Sequence, residues 1–112
     1  MTTVFVVDDD KDMTELVQLG LKKRGFTVAT FQAGADALVA VRERDVDVVV
    51  TDLNMRGMTG LELCQAIVAD RPDIPVLVLT AFGSFETAVG AIRAGAYDFV
   101  TKPVEKIGRA HV

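Results

Sequence analysis

A single cysteine, Cys64, is all the sulfur chemistry this chain offers, so no internal disulfide can form and a reducing compartment is expected. It falls in register with Leu61, Ile67 and Val68, which predicts a core position; a reactive thiol would need an electropositive, exposed setting. Positive charge is also short. The net charge is -4 and the pI about 4.8, which argues against nucleic acid as a direct partner, because a phosphate backbone requires a basic face. The one basic run, Lys22-Lys23-Arg24, sits where a first helix should end, and cations favour that terminus through the helix dipole. No apolar run approaches the roughly 18 residues needed to cross a membrane. The opening MTTVFVVDDD lacks the basic start and long apolar segment of a signal peptide, so a soluble, cytoplasmic protein is expected. Repeats and linkers are absent, and 112 residues suit one compact domain.

What is present is a set of short apolar runs. VFVV (4–7), VDVVV (46–50), VLVL (76–79) and the weaker YDFV (97–100) are nearly continuous, as in parallel strands buried on both faces. FTVATF (26–31) follows Gly25 and alternates, which suits an edge strand. Between the runs lie stripes of helical period. The first is Met13, Leu16, Val17, Gly20 and Leu21, and the second is Ala37, Leu38, Ala40 and Val41. Leu61, Cys64, Ile67 and Val68 form the third; Phe85, Ala88, Val89 and Ile92 form the fourth. Gly25 and Gly95 occupy helix C-terminal positions, Ser84 an N-cap, and Pro72 and Pro75 bracket the turn leaving the third helix. The order predicts an α/β fold, a doubly wound five-stranded parallel sheet with helices on both faces.

In such sheets chemistry collects outside the carboxyl ends of the strands. There the first strand runs into Asp8-Asp9-Asp10, the third into Asp52 with Asn54 nearby, the fourth into Thr80-Ala81, and the fifth into Thr101-Lys102-Pro103. Clustered carboxylates raise one another's pKa unless a cation neutralises them. Hard oxygen ligands with open positions suit Mg²⁺, and Lys102 adds a point charge for an anion in the same cleft. Asp52 in that company is a candidate phosphoryl-accepting nucleophile. An EF-hand reading of Asp8, Asp10 and Asp12 fails because the glycine required next is Met13.

VVDDD (6–10), DLNMRGMTG (52–60), LTAFGS (79–84) and AGAYDFVTKP (94–103) together resemble the receiver domain of bacterial two-component response regulators, over residues 4–104. GSFETAVGAIRAGAYDFVTKP (83–103) further resembles receivers of enhancer-binding, sigma-54-dependent transcription activators. The resemblance implies a flavodoxin-like (βα)5 fold. It implies that Asp52 accepts a phosphoryl group from a phosphohistidine of a sensor histidine kinase, and that Asp9, Asp52 and the carbonyl of Asn54 ligate Mg²⁺, with Asp8 acting mainly through a bound water. Thr80 and Lys102 would meet the phosphoryl oxygens, and small Ala81 would leave them room. Lys102-Pro103 would be a cis-peptide candidate. Thr80 and Phe99 would form a switch that alters the fourth helix/fifth strand face, controls an output domain that regulates transcription, and offers a homodimer surface.

Two departures stand out. Receivers commonly carry proline where this chain has Arg56, and often aspartate where it has Thr59; Arg56 removes a φ lock and brings a cation near the acids. The chain also stops short of a full fifth helix. IGRAHV (107–112) resembles a sequencing adapter translated in frame, so the expected division is residues 1–106 as a truncated receiver and 107–112 as a non-native tail, whose His111 receives no role. The competing classes are a Mg²⁺-dependent aspartyl-phosphate phosphatase and a receiver-like module that is not phosphorylated. The first would need Asp-x-Asp on the first strand and a cap domain; intact Asp9, Asp52, Thr80 and Lys102 disfavour the second.

Overall fold

A computed structural model describes residues 1–80 and 85–101, with the side chain of Phe85 excepted. Strands β1 (Thr3–Val7), β2 (Thr27–Phe31), β3 (Val48–Asp52), β4 (Val76–Thr80) and β5 (Asp98–Thr101) form one parallel sheet in the order β2-β1-β3-β4-β5. Helices α1 (Lys11–Lys23), α2 (Gly34–Glu43), α3 (Gly60–Asp70) and α4 (Phe85–Arg93) alternate with them. This is the flavodoxin-like strand order. The fifth helix, Ala81, Ser84, the Lys102-Pro103 peptide and the 107–112 tail lie outside the described residues.

Right-handed crossovers in this strand order put α1 on one face and α2, α3 and α4 on the other. Packing follows that division. Phe5, Val7, Val49, Val76 and Val78 are almost wholly buried and join Ala37, Val41, Leu63, Cys64, Ile67 and Ala91 in a single core. On the opposite face Val4 and Val6 are equally buried, whereas Val50, Leu77 and Leu79, in register across the sheet or along it, are only half-buried. The sequence reading of strands buried on both faces therefore holds fully for one face and partly for the other.

Local chemistry sets the element ends. Asp10 caps α1 by accepting from the amides of Asp12 and Met13, at 3.0 and 3.3 Å. Lys22 and Lys23 lie in the last turn of α1, as the helix dipole favours. Gly25 and Gly95, at φ 92° and 99°, carry the left-handed turns that end α1 and follow α4. Thr59 and Glu62 close a capping box at the start of α3.

Several positions differ from the sequence reading. The third strand begins at Val48 and reaches Asp52, two residues later than the apolar run, although Val46 is buried as a core residue ahead of it. On α1 the buried residue is Thr14, its hydroxyl donating to the Lys11 carbonyl at 2.8 Å, while Leu16 and Leu19 are exposed. Ile92 of the fourth stripe is likewise exposed, and Ala91 and Leu63, absent from the predicted stripes, are fully buried. A stripe of helical period finds the helix; the exact bearing of the helix on the sheet decides which neighbours are covered. Cys64 is buried as expected, and that burial pushes its thiol pKa up, away from reactivity.

Candidate functional site

The site is built from three strand ends. Phe31 fixes the start of the first loop, its carbonyl accepting from the Asp8 amide at 3.0 Å. Asp8 is buried and its carboxylate accepts from the Asp10 amide at 3.0 Å, which folds the acidic triplet back on itself. Asp10 turns to cap α1, so two of the three consecutive acids face the rim. Asp52, the last residue of β3, is 6 % exposed.

Asp8, Asp9 and Asp52 each offer a carboxylate oxygen, and these oxygens lie within 4.8 Å of one another. Three hard anionic donors at that spacing fit a small oxygen-liganded dication after slight contraction, with positions left over for water and an incoming anion. The group is the acidic triad typical of a receiver Mg²⁺ site. Thr80, the last residue of β4, is completely buried at the same rim. Asn54 is exposed on the loop after β3. With Leu53, Thr59, Leu61, Glu86, Thr87 and Gly90 it lines a neighbouring cavity of about 360 Å³, which none of the three carboxylates enters.

Phe99 lies one layer below the rim. It pairs with Val78 while Thr80 pairs with Thr101, so by strand alternation Phe99 and Thr80 share a face of the sheet as diagonal neighbours. Phe99 is half-buried and packs against the core. Lys102 and Pro103 are outside the described residues; Thr101, which precedes them, ends β5 opposite Thr80.

The loop from Asp52 to α3 has its own requirements. Gly57, at φ 73°, makes a turn that other residues resist. Gly60 starts α3 so close beneath the strand that a β-carbon there would lie 2.1 Å from the Asp52 carbonyl oxygen. Met55, buried at 7 % exposure, pins the loop to the core. Arg56 brings its cation to the acids, as its place in the sequence implied, and adds a backbone donor: its amide donates to Asp9 Oδ2 at 3.0 Å, and its Nε approaches the same oxygen at 3.4 Å. These donors, the amide foremost, hold Asp9's carboxyl below the ordinary carboxylate range against the opposing pull of burial. The Thr59 to Glu62 capping box was missed, though its T-x-x-E spacing stands in the sequence.

The chain belongs to the response regulator receiver family, whose description, response regulator receiver domain, matches residues 4–108. Among curated proteins it is 41 % identical over 101 residues to the C4-dicarboxylate transport transcriptional regulatory protein DctD of Rhizobium meliloti, covering 90 % of this chain and 22 % of that protein. It is 43 % identical over 102 residues to the transcriptional regulatory protein ZraR of Salmonella typhimurium, covering 91 % and 23 %. The chain thus spans under a quarter of the length of these relatives. Among solved structures, the response regulator TrrA of Thermotoga maritima in complex with Mg(2+)-BeF superposes with a TM-score of 0.84 at 28 % identity, covering 97 % of this chain and 98 % of that one. A receiver is a phosphoacceptor in two-component signalling. None of the described helices is long and apolar enough to cross a membrane.

Proposed function

We propose that this receiver takes a phosphoryl group onto Asp52 from a phosphohistidine of a sensor histidine kinase, in a reaction that requires Mg²⁺. The observation that carries the reading is the convergence of Asp8, Asp9 and Asp52 on one point at the carboxyl rim of the sheet. The Mg(2+)-BeF bound in the TrrA structure is in keeping with it.

In this reading Asp9, Asp52 and the carbonyl of Asn54 would hold Mg²⁺, with Asp8 acting mainly through a bound water. The ion supplies charge neutralisation, without which three neighbouring carboxylates would repel both one another and the incoming phosphoryl group. One Asp52 oxygen attacks phosphorus, an O–P bond forms as the N–P bond of the phosphohistidine breaks, and the imidazole departs. Lys102 and the Thr80 hydroxyl meet the phosphoryl oxygens. The new charge on Asp52 draws Thr80 toward it, Phe99 moves into the space released on their shared face, and the surface of α4 and β5 changes. That surface would act on an output domain that regulates transcription, directly or through homodimerisation, in the cytoplasm.

Incubation with Mg²⁺ and acetyl phosphate, followed by intact mass, tests the reading. One phosphoryl adduct is expected, dependent on the metal and lost in Asp52→Asn. An adduct that survives Asp52→Asn overturns it.

A further inference from the structure

The proposed chemistry leaves Arg56 without a task, yet Arg56 makes two contacts with one of the three acids. Its amide and its Nε both point to Asp9 Oδ2, at 3.0 and 3.4 Å. The two donors differ in kind. The amide belongs to a loop held by buried Met55 on one side and turned by Gly57 on the other, so it is fixed in place. The guanidinium is not: the Arg56 side chain is 91 % exposed, against 24 % for Asp9, so it stays at the rim for electrostatic reasons and can swing away.

We infer that Arg56 is a resident counter-cation of the acidic rim, competing with the divalent ion for Asp9 and setting a threshold for its binding. This rests on the phosphoacceptor reading above. A dication that approaches Asp9 meets an oxygen already engaged by donors and a positive charge close by. Its entry requires the guanidinium to leave Oδ2 for solvent, which the high exposure of the side chain makes cheap. The effect on affinity is therefore graded by the charge at position 56 and does not abolish binding. An exposed ion pair is a weak one, and weak coupling suits a threshold. In this account Arg56 is a positioning residue: it touches neither the phosphoryl group nor Mg²⁺.

A charge series at this exposed position tests the inference. Mn²⁺ binding to the chain is followed by electron paramagnetic resonance of the free ion, with Mg²⁺ as competitor, in wild type, Arg56→Lys, Arg56→Gln, Arg56→Glu and Asp52→Asn. Arg56→Lys is expected to stay near wild type, Arg56→Gln to bind about two- to fivefold tighter, and Arg56→Glu about tenfold tighter. The spread should shrink in high salt, because exposed charges are screened. A purely structural role for Arg56 would not order the affinities by charge. Equal affinities across the series, or weaker binding by Arg56→Gln, with binding still lost in Asp52→Asn, overturns the inference alone. No saturable binding in any variant, or binding that ignores Asp52→Asn, overturns the inference and the phosphoacceptor reading together.

Discussion

The two faces of the sheet are built from the same kind of residue and end in different states. On the face of α2, α3 and α4, Phe5, Val49, Val76 and Val78 are closed off almost completely. On the face of α1, Val4 and Val6 of β1 are closed off as well, but Val50, Leu77 and Leu79 of β3 and β4 are only half-covered. α1 packs against β1 and β2, and Val50, Leu77 and Leu79 lie on the neighbouring strands. Alanines 37 and 40 of α2 and 91 of α4 are buried, and such small residues let their helices lie close. α1 instead buries a threonine and leaves Leu16 and Leu19 exposed. Strand alternation puts Asp52 in line with Val50 and Leu79, on the thinly covered face, and Thr80 in line with Val78 on the packed one. Asp52 and Thr80 thus emerge on opposite faces of the same rim.

Cavity-forming substitutions break the comparison most sharply. Leu63→Ala, at a position with no exposed surface, should lower the unfolding free energy by about 3 kcal/mol in denaturant titrations. Leu77→Ala on the other face should cost about 1 kcal/mol, in proportion to the smaller area it removes from contact. Equal losses would mean that the two faces do not differ in the way their burial indicates.

Comparable to the second is the cap of α3, where a hydrogen bond rather than packing is at stake. Thr59 Oγ1 accepts from the Glu62 amide at 3.2 Å, and Thr59→Ala should cost about 1 kcal/mol by the same titration. The smallest effect is one of pH. The Thr59 amide, donating to Glu62 Oε1 at 3.0 Å, holds the Glu62 carboxyl below the ordinary glutamate range. The unfolded chain therefore binds this proton more readily than the folded one. The contribution is fully present above the ordinary glutamate pKa and fades as pH falls through the lower, folded value. Glu62→Gln should flatten that part of the stability-against-pH curve and leave neutral stability nearly unchanged.

Much of this was legible in the sequence. β-Branched runs at regular intervals gave the strands, and the acids at their ends gave the rim, because a parallel sheet gathers its carboxyl ends on one side. Asp52 lies more than forty residues beyond Asp8 and Asp9 in the chain and meets them for that reason alone. What was not legible depended on rotation and on loops. The stripe of α1 pointed to Leu16, which is exposed, whereas the buried Thr14, two residues earlier, lies on nearly the opposite side of the helix. The bond from Arg56 to Asp9 joins two loops with no sequence relation, and its main donor is a backbone amide, which every residue but proline carries. Gly60 could be read as a turn residue but not as the point where α3 meets the carbonyl of Asp52.

The most direct measurement locates the phosphoryl group. Borohydride reduces an aspartyl phosphate to homoserine, so treatment after exposure to Mg²⁺ and acetyl phosphate marks the acceptor for peptide mass spectrometry. The account predicts homoserine at position 52 and unmodified aspartate at positions 8 and 9. Homoserine at 8 or 9 with aspartate intact at 52 would contradict it.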